Sequence, residues 1–188
     1  MYSIEVAESK HLDQINELID ASFGDGFSAT KTINSEQNFA FIALERGIVI
    51  GAVSGKIVSG CELQKLSKNT IDSAKAYVGI LDLIVVEANH RNKGIGKSLF
   101  EVRLREFEKR EIKDMYLFHW VKKDQEKAFI AEKYGFEKLQ KIARYWYVES
   151  LVEGYECGEC GGGCECECLV YVHRPSSAAA EAWPSFFS

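Results

Sequence analysis

The sequence lacks the compositional features that mark most nucleic-acid and membrane proteins. It carries 23 Lys and Arg against 28 Asp and Glu, a formal net charge of −5, whereas nucleic-acid binding usually requires a basic surface. No apolar run reaches the roughly 20 residues that span a bilayer, and the N-terminal segment lacks the basic and apolar regions of a signal peptide. We therefore expect a cytoplasmic protein with neither a nucleic-acid nor a membrane partner.

The chain also lacks internal repeats and any clear domain boundary. We expect one domain over residues 1–174, followed by a mobile tail of small residues over 175–188. Ser9 is placed to cap a first helix, residues 23–37 form a polar loop, and residues 60–75 form a solvated connection. Further helices are predicted after residue 94 and over 124–134. Strands are predicted over residues 2–7, 38–45, 47–59, 76–86, 113–121, 136–148 and 169–172.

Cysteine is nearly confined to one segment. Cys61 stands alone, while five cysteines and four glycines crowd into residues 157–168. In a cytosolic protein this pattern favours a metal site over disulfides. Tetrahedral zinc requires four ligands, and we predict that Cys157, Cys160, Cys164 and Cys166 provide them, with Cys168 starting the last strand. An iron–sulfur cluster and unligated thiols are the alternatives.

The most informative segment joins the apolar strand ending at Val86 to the next helix through a turn that contains Gly94 and Gly96. Glycine lets the backbone come close to a ligand, and N–H groups at a helix N-terminus bind phosphate. The alternative is a turn with only a structural role. A dinucleotide-binding loop is excluded because Leu99 stands where a third glycine is required, and a Walker A loop is excluded because Lys93 precedes the glycines.

Residues Arg91-Asn92-Lys93-Gly94-Ile95-Gly96 resemble the Q/R-x-x-G-x-G/A signature of the GNAT superfamily, the acyl-CoA-dependent N-acyltransferases. The order of elements over residues 2–174 is similar as well. The resemblance implies an α/β (α+β) fold with a mixed, mostly antiparallel sheet of about seven strands and about four helices. It also implies direct transfer of an acetyl or other acyl group from acetyl-CoA to a primary amine of a small molecule or peptide. An exposed sheet edge leaves a homodimer possible.

In that family the turn binds the pyrophosphate of the cofactor, and the pantetheine arm lies along the preceding strand like an added strand. The thioester carbonyl then lies near the N–H of Val86, where negative charge develops during the reaction. The resemblance therefore implies cofactor contacts from Ile84, Val85, Val86, Arg91, Asn92, Lys93, Gly94, Ile95, Gly96, Lys97 and Ser98.

The catalytic residues are less clear, because Ala131 stands where family members often carry the tyrosine that protonates the CoA thiolate. Tyr134, Tyr145 and Tyr147 are the alternatives for this role, although Tyr145 and Tyr147 are more typical of strand aromatics in or near the core, and the thiolate can also leave unaided. Asp82 is our candidate for the general base, because the alternation of side chains along a strand places it on the same face as Ile84 and Val86. Its alternative is a carboxylate that faces a solvated cleft. His119, in the next strand, is more typical of a satisfied core histidine.

Two other functions remain open from the sequence. One is a CoA-binding module with weak or no catalysis, which the missing tyrosine motivates. The other is an interaction adaptor that uses the cysteine segment. Glutamates surround that segment and disfavour nucleic acid, but they favour a cationic acceptor. The glutamates are Glu153, Glu156, Glu159, Glu165 and Glu167.

Overall fold

The computed structural model describes residues 1–24, 35–72, 75–121 and 129–174. Seven strands form one sheet in the order β1-β2-β3-β4-β5-β7-β6. Within these residues β4 and β5 run parallel and the other neighbouring strands run antiparallel, which confirms the predicted mixed sheet. The strands are β1 (Ser3–Val6), β2 (Asn38–Glu45), β3 (Ile48–Ser59), β4 (Tyr77–Val86), β5 (Met115–Trp120), β6 (Glu137–Ile142) and β7 (Cys168–His173).

Five α-helices accompany the sheet in the described residues, where about four were expected. None of them is long and apolar enough to cross a membrane. Short 3₁₀ turns precede the first and third helices, at residues 9–11 and 88–90. The helices are α1 (Leu12–Phe23), α2 (Gly60–Leu66), α3 (Ile95–Lys109), α4 (Phe129–Lys133) and α5 (Tyr147–Glu153).

Helices α1 and α3 pack on opposite faces of the sheet. Ile42 of β2 lies in the apolar cluster of α1, and its neighbour Ala43 lies in the cluster of α3. Successive strand residues point to opposite faces, so the two helices cover the sheet from both sides. The face under α1 also carries Leu83 and Val85 of β4, while Ile84 packs with α3.

Three local predictions were wrong. Residues 60–75 include α2, which Ser59 caps by accepting from the Glu62 N–H at 3.3 Å, and which buries Leu63 completely. Ser9 begins a 3₁₀ turn rather than capping α1. The strand predicted over 136–148 ends at Ile142, because the chain leaves the sheet and forms α5.

Some predicted segments lie outside the described residues. These are the tail over 175–188, residues 25–34 of the polar loop and residues 124–128 of the helix predicted over 124–134. The described part of that helix stops before Gly135, whose φ of +78° agrees with its predicted role as a helix terminator.

Candidate active site

A cleft opens where β4 and β5 separate. The two strands pair only over Gly79–Leu81 and Met115–Leu117 and then diverge. The resulting cleft has a volume of about 520 Å³ and is lined by residues 80–86 of β4, 117–120 of β5 and parts of α1 and α5. Strand segments that diverge leave backbone groups free to pair with an extended ligand.

A bulge in β4 lies at this separation. Ile84 pairs with Val53 and Leu81 pairs with Gly55, so two residues of β4, Asp82 and Leu83, lie opposite one residue of β3. A bulge of this kind reverses the alternation of side chains along the strand. Asp82 therefore faces the α1 side of the sheet. The prediction that Asp82 and Ile84 point to the same face was wrong.

The side chain of Arg103 supports the bulge from α3. It is fully buried, and its Nη1 donates to the carbonyl oxygens of Leu83 at 3.0 Å and Ser54 at 3.3 Å. Burial lowers the pKa of Arg103 to about 9, and the nearby Asp82 carboxylate opposes this shift. Sequence reasoning missed Arg103; the only signal was an arginine on the apolar stripe of α3.

Asp82 is held by two partners on the face that it occupies. Its Oδ1 lies 2.8 Å from Nζ of Lys56, and its Oδ2 accepts a hydrogen bond from the Ser54 hydroxyl at 3.1 Å. Lys56 also lines the cleft. The carboxylate is therefore oriented and half-buried, with its charge balanced by an ammonium group.

The glycine turn lies at one end of the cleft, between the 3₁₀ turn and α3. Gly94 caps α3 with φ of +82°, a left-handed conformation that favours glycine. Arg91 Nε donates to the carbonyl oxygen of Val86 at 3.0 Å and ties the turn to β4. The first N–H groups of a helix have no partner within it, so those of Ile95 and Gly96 are available for an anion.

The tyrosine candidates lie in different surroundings. Tyr145 lines the cleft, and its hydroxyl donates to the carbonyl oxygen of Leu66 at 2.7 Å; burial raises its pKa. Tyr134 donates to Oε1 of Glu101 at 2.5 Å, and desolvation followed by this bond raises its pKa to about 12. Ala131 is fully buried among apolar side chains.

Helix α5 contributes a wall of the cleft that the sequence did not predict. Trp146 and Glu149 both line the cleft. Burial, with the charge of nearby Glu153, raises the pKa of Glu149. His119 of β5 also lines the cleft. The side of the cleft away from the glycine turn thus combines aromatic surface with carboxylates.

The four cysteines predicted as ligands meet in the segment between α5 and β7, which we call the knuckle (residues 157–166). The sulfur atoms of Cys157, Cys160, Cys164 and Cys166 all lie within 4.8 Å of one another. The N–H of Gly161 donates to the carbonyl of Cys157 at 2.8 Å, closing a tight turn. Cys168 is instead buried at the start of β7, and Cys61 is exposed on α2.

Backbone donors surround the knuckle sulfurs. Burial opposes ionisation of Cys157, but hydrogen bonds from the N–H groups of Glu159 and Cys160 lower its pKa. Burial raises the pKa of Cys164 to about 11, although an N–H bond from Cys166 opposes this shift. Donors of this kind orient thiolates around a bound ion.

Comparison with known proteins identifies the fold. The family model described as Acetyltransferase (GNAT) family matches residues 11–136. The ribosomal-protein-S18-alanine N-acetyltransferase from Escherichia coli is 16% identical, with a TM-score of 0.64 and coverage of 98% of this chain and 100% of that one.

Arabidopsis thaliana NAA60 is similar in two complexes. With a bisubstrate analogue it is 13% identical, with a TM-score of 0.68 and coverage of 92% of this chain and 97% of that one. With acetyl-CoA it is 15% identical, with a TM-score of 0.67 and coverage of 92% and 98%. At these identities the likeness establishes the fold. No curated protein matches the sequence significantly.

Proposed function

The chain belongs to the GNAT family of acetyltransferases, and on that premise we propose that it transfers the acetyl group of acetyl-CoA directly to a primary amine. The observation that carries the proposal is the cleft between β4 and β5, which runs from the glycine turn to Asp82. The acetyl-CoA complex of the similarly folded NAA60 supports the same ligand here.

We assign the donor half of the site to β4 and the glycine turn. The pantetheine arm lies in the opening between the strands and pairs with the main chain of Ile84 and Val86. The pyrophosphate binds the N–H groups of the turn from Arg91 to Gly96, and Lys97 adds positive charge.

The acceptor approaches from the α1 side, where Asp82 lies. Its amine is protonated in water and must lose a proton before it can attack, and Asp82 accepts that proton directly or through water. The amine nitrogen then bonds to the thioester carbon and the carbon–sulfur bond breaks. The CoA thiolate leaves and takes up a proton. We assign this proton to Tyr145, one of the two tyrosines that line the cleft within the described residues.

A coupled assay tests the activity. Purified protein is incubated with acetyl-CoA and a panel of primary amines, while released CoA thiol and acetylated product are both measured. We expect product to form in proportion to CoA release. Acetyl-CoA binding without transfer to any amine would instead indicate a CoA-binding module.

Substitution of Gly96 tests the donor site. A Cβ added at this position would have Cγ2 of Val86 as its nearest neighbour, at 3.8 Å, so the fold tolerates a side chain. A valine would crowd the bound pyrophosphate, and we expect Gly96→Val to raise the acetyl-CoA Kd about tenfold or more. A loss of about 1.4 kcal/mol of binding free energy is sufficient for a tenfold rise. Gly96→Ala is the matched control, because the signature accepts alanine at this position. Equal Kd values for both variants and the parent protein would place the pyrophosphate elsewhere.

We further propose that the knuckle binds one zinc ion. Zinc with four sulfurs at about 2.3 Å separates them by roughly 3.8 Å, and the distances of 3.5 Å and 3.8 Å from Cys166 to Cys160 and Cys157 fit this geometry. Sulfur atoms this close together fit coordination of a single ion better than coordination of an iron–sulfur cluster. A bound ion also compensates the repulsion among four neighbouring thiolates, and it supplies a structural crosslink with no open position.

Metal analysis checks this assignment. We expect about one zinc per chain in protein purified under reducing conditions, and less than about a tenth of that in Cys160→Ser. Cys61→Ser is the control and should retain its zinc, since Cys61 lies on α2. Substoichiometric metal with all thiols titratable in the parent protein would disprove the site.

A further inference from the structure

The knuckle and the acceptor half of the cleft share residues. Cys157 and Cys164 line the cleft together with Asp82 and Glu149. A structural metal site that is built into the wall of a substrate cleft affects more than the stability of a surface loop. From this position the knuckle can hold in place the helices and strands that form the wall of the cleft.

Four contacts tie the knuckle to that wall. The N–H of Gly158 donates to the carbonyl of Phe23 at 3.1 Å, and the N–H of Tyr145 donates to the carbonyl of Cys166 at 3.2 Å. A hydrogen bond joins the side chains of Trp120 and Cys166. The N–H of Cys164 donates to the Ser150 hydroxyl of α5 at 2.8 Å. The knuckle thus contacts the end of α1, β5, the turn before α5, and α5 itself.

The elements held in this way carry a continuous aromatic surface. The ring centroids of Phe23 and Trp120 are 5.5 Å apart, and those of Trp120 and Trp146 are 6.5 Å apart. Tyr145 lies 4.7 Å from Trp146, and Phe118 lies 5.6 Å from Tyr145. All five rings line the cleft. We call this surface the aromatic slot.

The chemistry of the slot indicates what it holds. Aromatic faces attract both flat apolar groups and cations, and the carboxylates of Asp82 and Glu149 line the same cleft. A protonated amine that is joined to an aromatic ring by a short linker can satisfy both features. Its ring packs in the slot while its nitrogen lies near the carboxylates.

We propose that the zinc-loaded knuckle holds the aromatic slot in shape and thereby selects, as acetyl acceptor, small primary amines carried on an aromatic group. The selection rests on the proposed acetyl transfer, but binding of the amine to the slot does not depend on catalysis. The donor half of the cleft is outside the knuckle, because the glycine turn lies at the other end.

A matched acceptor panel tests the selection. We expect kcat/KM for 2-phenylethylamine to exceed that for butylamine at least about tenfold at saturating acetyl-CoA, in keeping with burial of one ring. Trp146→Leu keeps an apolar but smaller side chain and removes a ring, and it should reduce the ratio severalfold with an unchanged acetyl-CoA Kd. Equal values for the two amines in the parent protein would overturn the proposal. So would a preference for a peptide with N-terminal phenylalanine over the free amine.

Metal removal tests the role of the knuckle. Chelator-treated protein and Cys160→Ser should lose the preference for 2-phenylethylamine while the acetyl-CoA Kd stays within about twofold, and Cys61→Ser should behave as the parent. An unchanged preference in zinc-free protein would overturn the proposal.

A binding measurement separates the slot from the chemistry. Titration of 2-phenylethylamine against zinc-loaded protein, followed by intrinsic tryptophan fluorescence, to which Trp120 and Trp146 of the slot contribute, should show saturable binding at least about tenfold tighter than to zinc-free protein. Saturable binding without turnover of any amine would contradict the proposed acetyl transfer but support the slot. Turnover of amines without such binding would contradict the slot alone.

Discussion

Asp82→Asn is expected to lower kcat by about 10²- to 10⁴-fold, the usual contribution of a positioned general base. The substitution keeps the size of the side chain, and the amide oxygen can still accept the hydrogen bond of Ser54. It removes the negative charge and the ability to accept a proton from the acceptor ammonium. Because Asp82 faces the α1 side of the sheet, we expect no change in the Kd of acetyl-CoA.

Rapid-mixing kinetics at saturating acetyl-CoA, together with equilibrium titration of the cofactor, measure the two effects separately. Lys56→Met is the informative companion variant, since it removes the ammonium that lies 2.8 Å from Asp82 and leaves the carboxylate in place. An unchanged kcat in Asp82→Asn would eliminate this residue as the base and leave Glu149, the other carboxylate that lines the cleft, to be tested in the same way.

Arg103→Met is expected to lower the free energy of unfolding by about 3 kcal/mol, because two backbone carbonyls at the bulge lose their buried donor. Methionine fills much of the space with apolar atoms, so the loss of the hydrogen bonds dominates over a cavity. For a chain of this size the melting temperature should fall by roughly 6–12 °C. Denaturant titration and thermal unfolding measure the loss.

The matched control is Arg105→Met, on the same helix but exposed, which should change stability by about 0.5 kcal/mol or less. Arg103→Lys should be intermediate, because its ammonium can still donate to a carbonyl but its side chain is shorter and does not place the donor where Nη1 of arginine lies. A loss for Arg103→Met no larger than that of the control would show that the bulge does not depend on this guanidinium.

The segments that were predicted correctly are those whose signals are local. The glycine turn and the start of α3 follow from a few adjacent residues, since Gly94 adopts a positive φ and caps the helix that begins at Ile95. The β2–β3 hairpin follows from two apolar runs around Arg46 and Gly47, which both have positive φ. Helix α2 was missed although it also has a local signal, the capping-box spacing of Ser59 and Glu62.

The other segments that were missed depend on partners distant in sequence. The run from Tyr145 to Tyr147 has the aromatic composition of a strand, but the rings of Tyr145 and Trp146 pack against rings of β5 and the chain turns into α5. The bulge at Asp82 depends on the register of β3 against β4. Alternation within β4 alone therefore placed Asp82 on the wrong face.

The sequence by itself determined the glycine turn before α3 and the set of clustered cysteines, because both consist of residues that are close along the chain. Only the tertiary structure decided the position of the end of the cleft to which we assign the acceptor. Its wall combines the end of α1, β5, α5 and the knuckle, which span residues 22–164. The register between strands and the packing of side chains bring such segments together, and neither can be read from spacing along one chain.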